Sequence, residues 1–180
     1  MYIFSQVLVC IADLSFVFSM LSKSKLKLTI FLLGSDVLFS THYLLLGAYT
    51  GSIIVFIDAA FLIVAFLLQN YNKDNFVSLA CFTASVCVTI ATILTWSGAI
   101  SLLPMFAILS YLFAMNFKNL IIVKVGTTIR NVFNIVYVFL IGSYVGALLE
   151  CCLLINSIVG TILTIKQTKN EQKSSKITID

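Results

Sequence analysis

The chain has 180 residues, 61% of them hydrophobic and 10% charged, with a mean hydropathy of +1.10 and a formal net charge of +4. A soluble domain carries about 25% charged residues, so this composition leaves too few charges to cover a water-facing surface and predicts an all-α, polytopic membrane protein. The positive balance therefore carries no implication of a nucleic-acid partner; the relevant partner is the lipid bilayer, and the question is on which side of it the lysines lie.

A membrane-spanning helix needs about 20 predominantly apolar residues, and seven segments qualify. Helix 1 covers 2–21 and carries Asp13 in mid-span; lacking a basic start and a small-x-small cleavage pattern, it reads as a retained span and not a leader. After SKSKLK comes helix 2, 28–47, with Asp36 and His42; after AYTG, helix 3, 52–69, with Asp58. NYNKDN precedes helix 4, 76–94, which has no charged residue, and TWSG precedes helix 5, 99–116. Pro104, the single proline, lies inside helix 5, where a missing N–H permits a bend, and is read as a one-sided hinge. NFKN leads into helix 6, 121–142, with a polar stripe of Thr127, Arg130, Asn131, Asn134 and Tyr137; SYVG leads into helix 7, 146–165, with Glu150, Asn156, Ser157 and Thr161. Residues 167–180, QTKNEQKSSKITID, are polar and unpatterned and are expected to form a disordered cytoplasmic tail.

The breaks after helices 1, 3, 5 and 7 carry Lys23, Lys25 and Lys27; Lys73; Lys118; and Lys166, Lys169, Lys173 and Lys176, with Lys124 just inside helix 6. Those after helices 2, 4 and 6 carry no Lys or Arg. Because basic loops stay cytoplasmic, the N-terminus is expected outside and the C-terminus in the cytoplasm of a bacterial inner membrane.

The chain also repeats itself. GAYTG at 47–51 recurs as GSYVG at 142–146, and ADLSFVFSMLSK at 12–23 lies over AILSYLFAMNFK at 107–118. A shift of 95 aligns 12–75 with 107–170 without a gap, with 15 identities in 64 positions, and sets Asp36 against Asn131. The predicted organisation is a first three-helix repeat over 1–75, a linker helix over 76–94 and a second repeat over 95–166. Two three-helix units joined directly would insert upside down relative to each other; one extra crossing makes them parallel. Parallel repeats are a transporter plan, with the substrate near the midplane between them.

Ionisable residues inside spans are costly and by default face a cavity or a partner. At ~1.5 Å per residue, Asp13, Asp36, Arg130 and Asn131 lie about 12 Å from one membrane face and form an inner layer, in which Arg130 pairs with Asp36 or Asp13. His42, Asp58 and Glu150 form an outer layer, below Tyr49 and Tyr144 at the mouth. Four intramembrane carboxyl groups against one arginine leave an excess of negative charge, which predicts a bound proton on some of them. Asp13, Asp36, His42, Asp58 and Glu150 are thus candidates for buried-charge or proton-coupling roles, and Asp58, Arg130, Asn131, Asn134, Glu150 and Asn156 for solute binding. The five cysteines lie in apolar stretches without metal-ligand spacing and read as small buried hydrophobes. With no nucleophile–base set either, neither a metal, a cofactor nor an enzymatic activity is expected.

THYLLLGAYTG at 41–51, LLPMFAILSYLFA at 102–114 and IGSYVGALLECCLLIN at 141–156 resemble the YgjV-type family of bacterial inner-membrane proteins. That family is in turn similar to the wider SWEET and PQ-loop (MtN3-like) carriers, which share a 3+1+3 plan and use an asparagine on the third helix of each repeat to bind sugar. In this chain the nearest candidates are Asp58 and Asn156, which are 98 residues apart and so lie off the strict register of 95, and no Pro-Gln dipeptide occurs. The resemblance implies a carrier of an unnamed small solute, working by rocking of two three-helix bundles, with proton coupling through Asp58 or Glu150 and homo-oligomerisation both left open. The alternative is a membrane sensor or assembly partner that keeps a carrier-like fold.

Overall fold

A computed structural model describes residues 2–71 and 73–177, which form seven α-helices with no strand among them. These are α1 (Tyr2–Leu21), α2 (Lys25–Leu45), α3 (Tyr49–Asn70), α4 (Val77–Leu94), α5 (Leu102–Met115), α6 (Leu120–Leu140) and α7 (Tyr144–Ile177). Five stretches, 25–45, 49–70, 77–94, 120–140 and 146–170, are long and apolar enough to cross a membrane, and 7–21 and 99–115 are shorter apolar helices.

The helix ends follow from local chemistry. The Ser24 side chain accepts the Lys27 N–H and the Asn119 side chain accepts the Ile121 N–H, so α2 and α6 each begin on a polar cap. This cap lets α2 start at Lys25 and not at 28, taking part of the basic loop into its first turn. At the opposite end, Gly47 and Gly142 turn left-handed at φ +74° and +80°. Behind them Ala48 N–H bonds Tyr43 C=O at 2.9 Å and Ser143 N–H bonds Val138 C=O at 3.1 Å, the same glycine-terminated helix ending twice. Shifting α2 by 95 lands on the bounds of α6, and α3 shifted by 95 starts where α7 starts.

Two expectations are corrected. The polar stretch read as a disordered tail continues α7 to Ile177; Lys, Gln and Glu are good helix formers and no Gly or Pro follows Gly160 to stop the turn. Pro104 does not stand in mid-helix. A 3₁₀ turn at Ala99–Ser101 precedes α5, which places Pro104 in the first helical turn, where the absent N–H has no intrahelical partner to lose.

α2 packs between α1 and α3, α6 between α5 and α7, and α4 lies against α3 and α5; α1 also meets α7, and α3 meets α5. Large apolar side chains such as Leu94, Phe82, Phe113 and Leu148 point outward, a belt that suits hydrocarbon and not water. Four of the five cysteines are also exposed there, so only Cys81 is the buried hydrophobe expected of all five.

At the lysine-bearing end two ammonium groups tie the helices reciprocally. Lys124 Nζ, on α6, donates to Met20 C=O at 2.6 Å and Thr164 Oγ1 at 2.8 Å. Lys25 Nζ, on α2, donates to Met115 C=O at 3.0 Å and Phe117 C=O at 3.1 Å. Met20 and Met115 are 95 residues apart and lie at the C-terminal ends of α1 and α5, so α1 is capped by a lysine of α6 and α5 by a lysine of α2. The last carbonyls of a helix lack internal partners and carry the negative end of its dipole, which is why a cation settles there.

Candidate functional site

The centre of the bundle is ionic. Arg130 on α6 reaches Asp36 of α2 with Nη2–Oδ1 at 2.5 Å and Nη1–Oδ2 at 3.4 Å, and Asp58 of α3 with Nη1–Oδ2 at 2.8 Å. All three are buried, at 3%, 1% and 0% exposure. The Tyr111 ring of α5 lies 5.5 Å from the guanidinium carbon, a cation–π contact. A planar fork with five donors is suited to holding two carboxylates at once. Four helices thus meet at one cation, which two carboxyl groups share.

The pairing with Asp36 agrees with the depth of the two residues. The pairing with Asp58 corrects the two-layer reading: Asp58 belongs to the ionic centre and not to an outer layer, because the long Arg130 side chain of α6 reaches it on α3, which packs beside α2. Asp13, offered as the other partner, stays apart. Both its carboxylate oxygens, and Glu150 Oε2, lack a hydrogen-bond partner. Asp13 and Glu150 line a small cavity of ≈ 10 Å³ together with His42 and Tyr43. His42 Nδ1 lies 2.6 Å from Ser5 Oγ and 3.1 Å from Ser5 C=O, which holds the ring against α1. Asn131 is buried, Asn134 and Asn156 are half-buried; among the described residues none of these three makes a hydrogen bond to the ionic centre. No group of three His, Cys, Asp or Glu suited to a metal occurs among the described residues.

Above the centre, at the glycine-turn end, lies a cavity of ≈ 480 Å³ whose lining includes Tyr49, Thr50, Thr95, Ser97, Tyr137 and Ser143. Tyr137, 4% exposed, belongs both to this lining and to the core. Its ring meets Tyr43 edge-on at 5.9 Å, and Tyr43 stacks on Phe39 at 6.2 Å. A Cβ on Gly51 would stand 2.6 Å from Tyr137 Oη, so the second glycine of GAYTG leaves room for this ring. Sequence reasoning gave Tyr43 and Tyr111 no part. The signals were present: Tyr43 follows Asp36 by seven residues, two turns along one helix face, and Tyr111 is the repeat mate of Phe16.

Residues 3–169 match the model of a protein family, Imp-YgjV, described as bacterial inner membrane protein. No curated protein and no solved structure matches the chain.

Proposed function

The chain belongs to the Imp-YgjV family of bacterial inner membrane proteins, and on that premise we propose that it is a small-solute carrier of two parallel three-helix bundles, α1–α3 and α5–α7, with α4 as linker. One observation carries this reading. A vestibule of ≈ 480 Å³, within the ordinary range for a small-molecule site, lies at the glycine-turn end of a bundle with a buried charged centre, while at the opposite end Lys25 and Lys124 tie the helices together. Such an arrangement corresponds to a carrier closed on one side. Solute enters between the glycine turns, passes Tyr137 and Tyr43, and meets Asp58, Arg130, Asn131, Asn134, Glu150 and Asn156 in the midplane. Rocking of the bundles then breaks the two lysine contacts and opens the other end. The lysine distribution supports a cytoplasmic location for that end, with the N-terminus outside.

Uptake into proteoliposomes under an imposed pH gradient tests this. Wild type is expected to accumulate at least one member of a solute panel, and Glu150→Gln to lose the response to the gradient. If no solute flux differs between wild type, Glu150→Gln and empty liposomes, the carrier reading falls. A sensor or assembly partner is the second reading. It is favoured by the small free volume next to the centre, ≈ 10 Å³ beside Asp13 and Glu150. Co-purification of a stoichiometric partner protein, with no flux, supports it.

A further inference from the structure

We propose that Asp13 and Glu150 together hold one small monovalent cation, H⁺ or Na⁺, at the joint between the two halves of the protein. Asp13 stands on α1 and Glu150 on α7, at 9% and 3% exposure, and both line the same small cavity. Neither Asp13 oxygen has a hydrogen-bond donor, and neither has Glu150 Oε2. A buried carboxyl group without a donor or counter-charge is strongly unfavourable in a membrane interior, and here there are two at one place.

No cation of the surrounding protein makes a hydrogen bond to either Asp13 oxygen or to Glu150 Oε2. Arg130 of α6 is taken by Asp36 and Asp58. Lys124 binds carbonyl and hydroxyl groups at the far end of α1. From α2, His42 and Tyr43 line the cavity, and the His42 Nδ1 side is already occupied by Ser5; from α6 the lining residue is the uncharged Val138. Beyond Asp13, the charged groups acting on Glu150 are Arg130 and Asp36.

Size then selects the occupant. A volume of ≈ 10 Å³ admits about one water, which rules out an organic solute or a hydrated ion. Divalent cations need six or more oxygen ligands or an octahedral shell, which two carboxyl groups and one water do not provide. A proton, or a bare Na⁺ in place of the water, fits the volume and removes one of the two negative charges. Since α1 and α7 lie in different repeats, the occupant also fastens one half to the other, so its arrival and departure bear on how the halves move. That coupling role rests on the carrier reading; the binding site does not.

The test uses the purified full chain in detergent and a hydrophobic carbodiimide, which modifies protonated carboxyl groups in apolar surroundings, with modified peptides mapped by mass spectrometry. Modification of wild type is expected at Asp13 or Glu150. If the ion is H⁺, labelling is lost as the pH is raised through a single midpoint, and that midpoint shifts for Glu150 when Asp13→Asn is introduced. If it is Na⁺, labelling at fixed pH is lost on adding NaCl but not choline chloride, and Asp13→Asn abolishes the protection. Absence of labelling at both residues, or Glu150 labelling indifferent to pH, Na⁺ and Asp13→Asn alike, overturns the proposal. The wild-type measurements stand even if the variant does not fold. Labelling that behaves as expected alongside absent solute flux keeps the cation site and removes the carrier reading, so the two fail separately.

Discussion

Arg130 is the residue on which most of the buried charge converges. Removing one member of a buried ion pair leaves the remaining charges uncompensated and costs about 3–5 kcal/mol. Arg130→Met is therefore expected to lower the melting temperature in detergent sharply, and Asp58→Asn to do so less, because Arg130 keeps its two contacts with Asp36. Replacing all three, Arg130→Met with Asp36→Leu and Asp58→Leu, is expected to recover much of the stability, since buried ion pairs exchanged together for apolar residues are often neutral or better. If the centre serves solute binding, the triple variant stays folded and loses flux; retained flux assigns the centre to structure alone. The sequence exposed these residues because charge inside a span is conspicuous. It did not expose Tyr43 or Tyr111, because aromatic residues are ordinary in such helices.

At the scale of the helix, close approach and end-capping set the packing. A Cβ on Gly160 would lie 2.6 Å from Met20 O, a backbone atom that cannot turn aside, whereas Gly47 has open space around it and only its φ of +74° to defend. Gly160→Ala is thus expected to force α7 off α1. Gly47→Ala is expected to cost only the 1–2 kcal/mol or so of a left-handed residue with a side chain, and thermal melts of the two variants check that order. Lys124→Met removes the donor from Met20 C=O and Thr164 Oγ1. Amide hydrogen exchange is expected to accelerate in the last turn of α1 and around Thr164 of α7, and to remain unchanged near the glycine turns; uniform acceleration would mean global loosening and not release of a tie. The helices themselves were legible, since apolar runs with Gly, Asn and Lys between them fix where a span starts and stops. The two misreadings, the tail and Pro104, arose where composition was taken for conformation: polarity does not prevent a helix, and a proline breaks one only if turns precede it.

For the whole molecule, orientation is the testable consequence of the charge pattern. In a cysteine-free background, Lys73→Cys is expected to react with a membrane-impermeant thiol reagent from the cytoplasmic side only, and Ser97→Cys from the outside only; the reverse pattern would invert the topology. The sequence by itself determined a polytopic membrane protein, seven helices, a 95-residue internal repeat and a short set of polar residues committed to the interior. Each of these depends on order along one chain, and spacing along a helix gives depth in the bilayer directly. The tertiary structure alone decided the partners. It gave Arg130 to Asp36 and Asp58, left Asp13 and Glu150 facing each other's cavity, and crossed two lysines between the halves. The physical reason is that depth is set by residue number, whereas the neighbour at a given depth depends on how each helix is rotated and which helices lie beside it, and those are fixed only when all seven pack together.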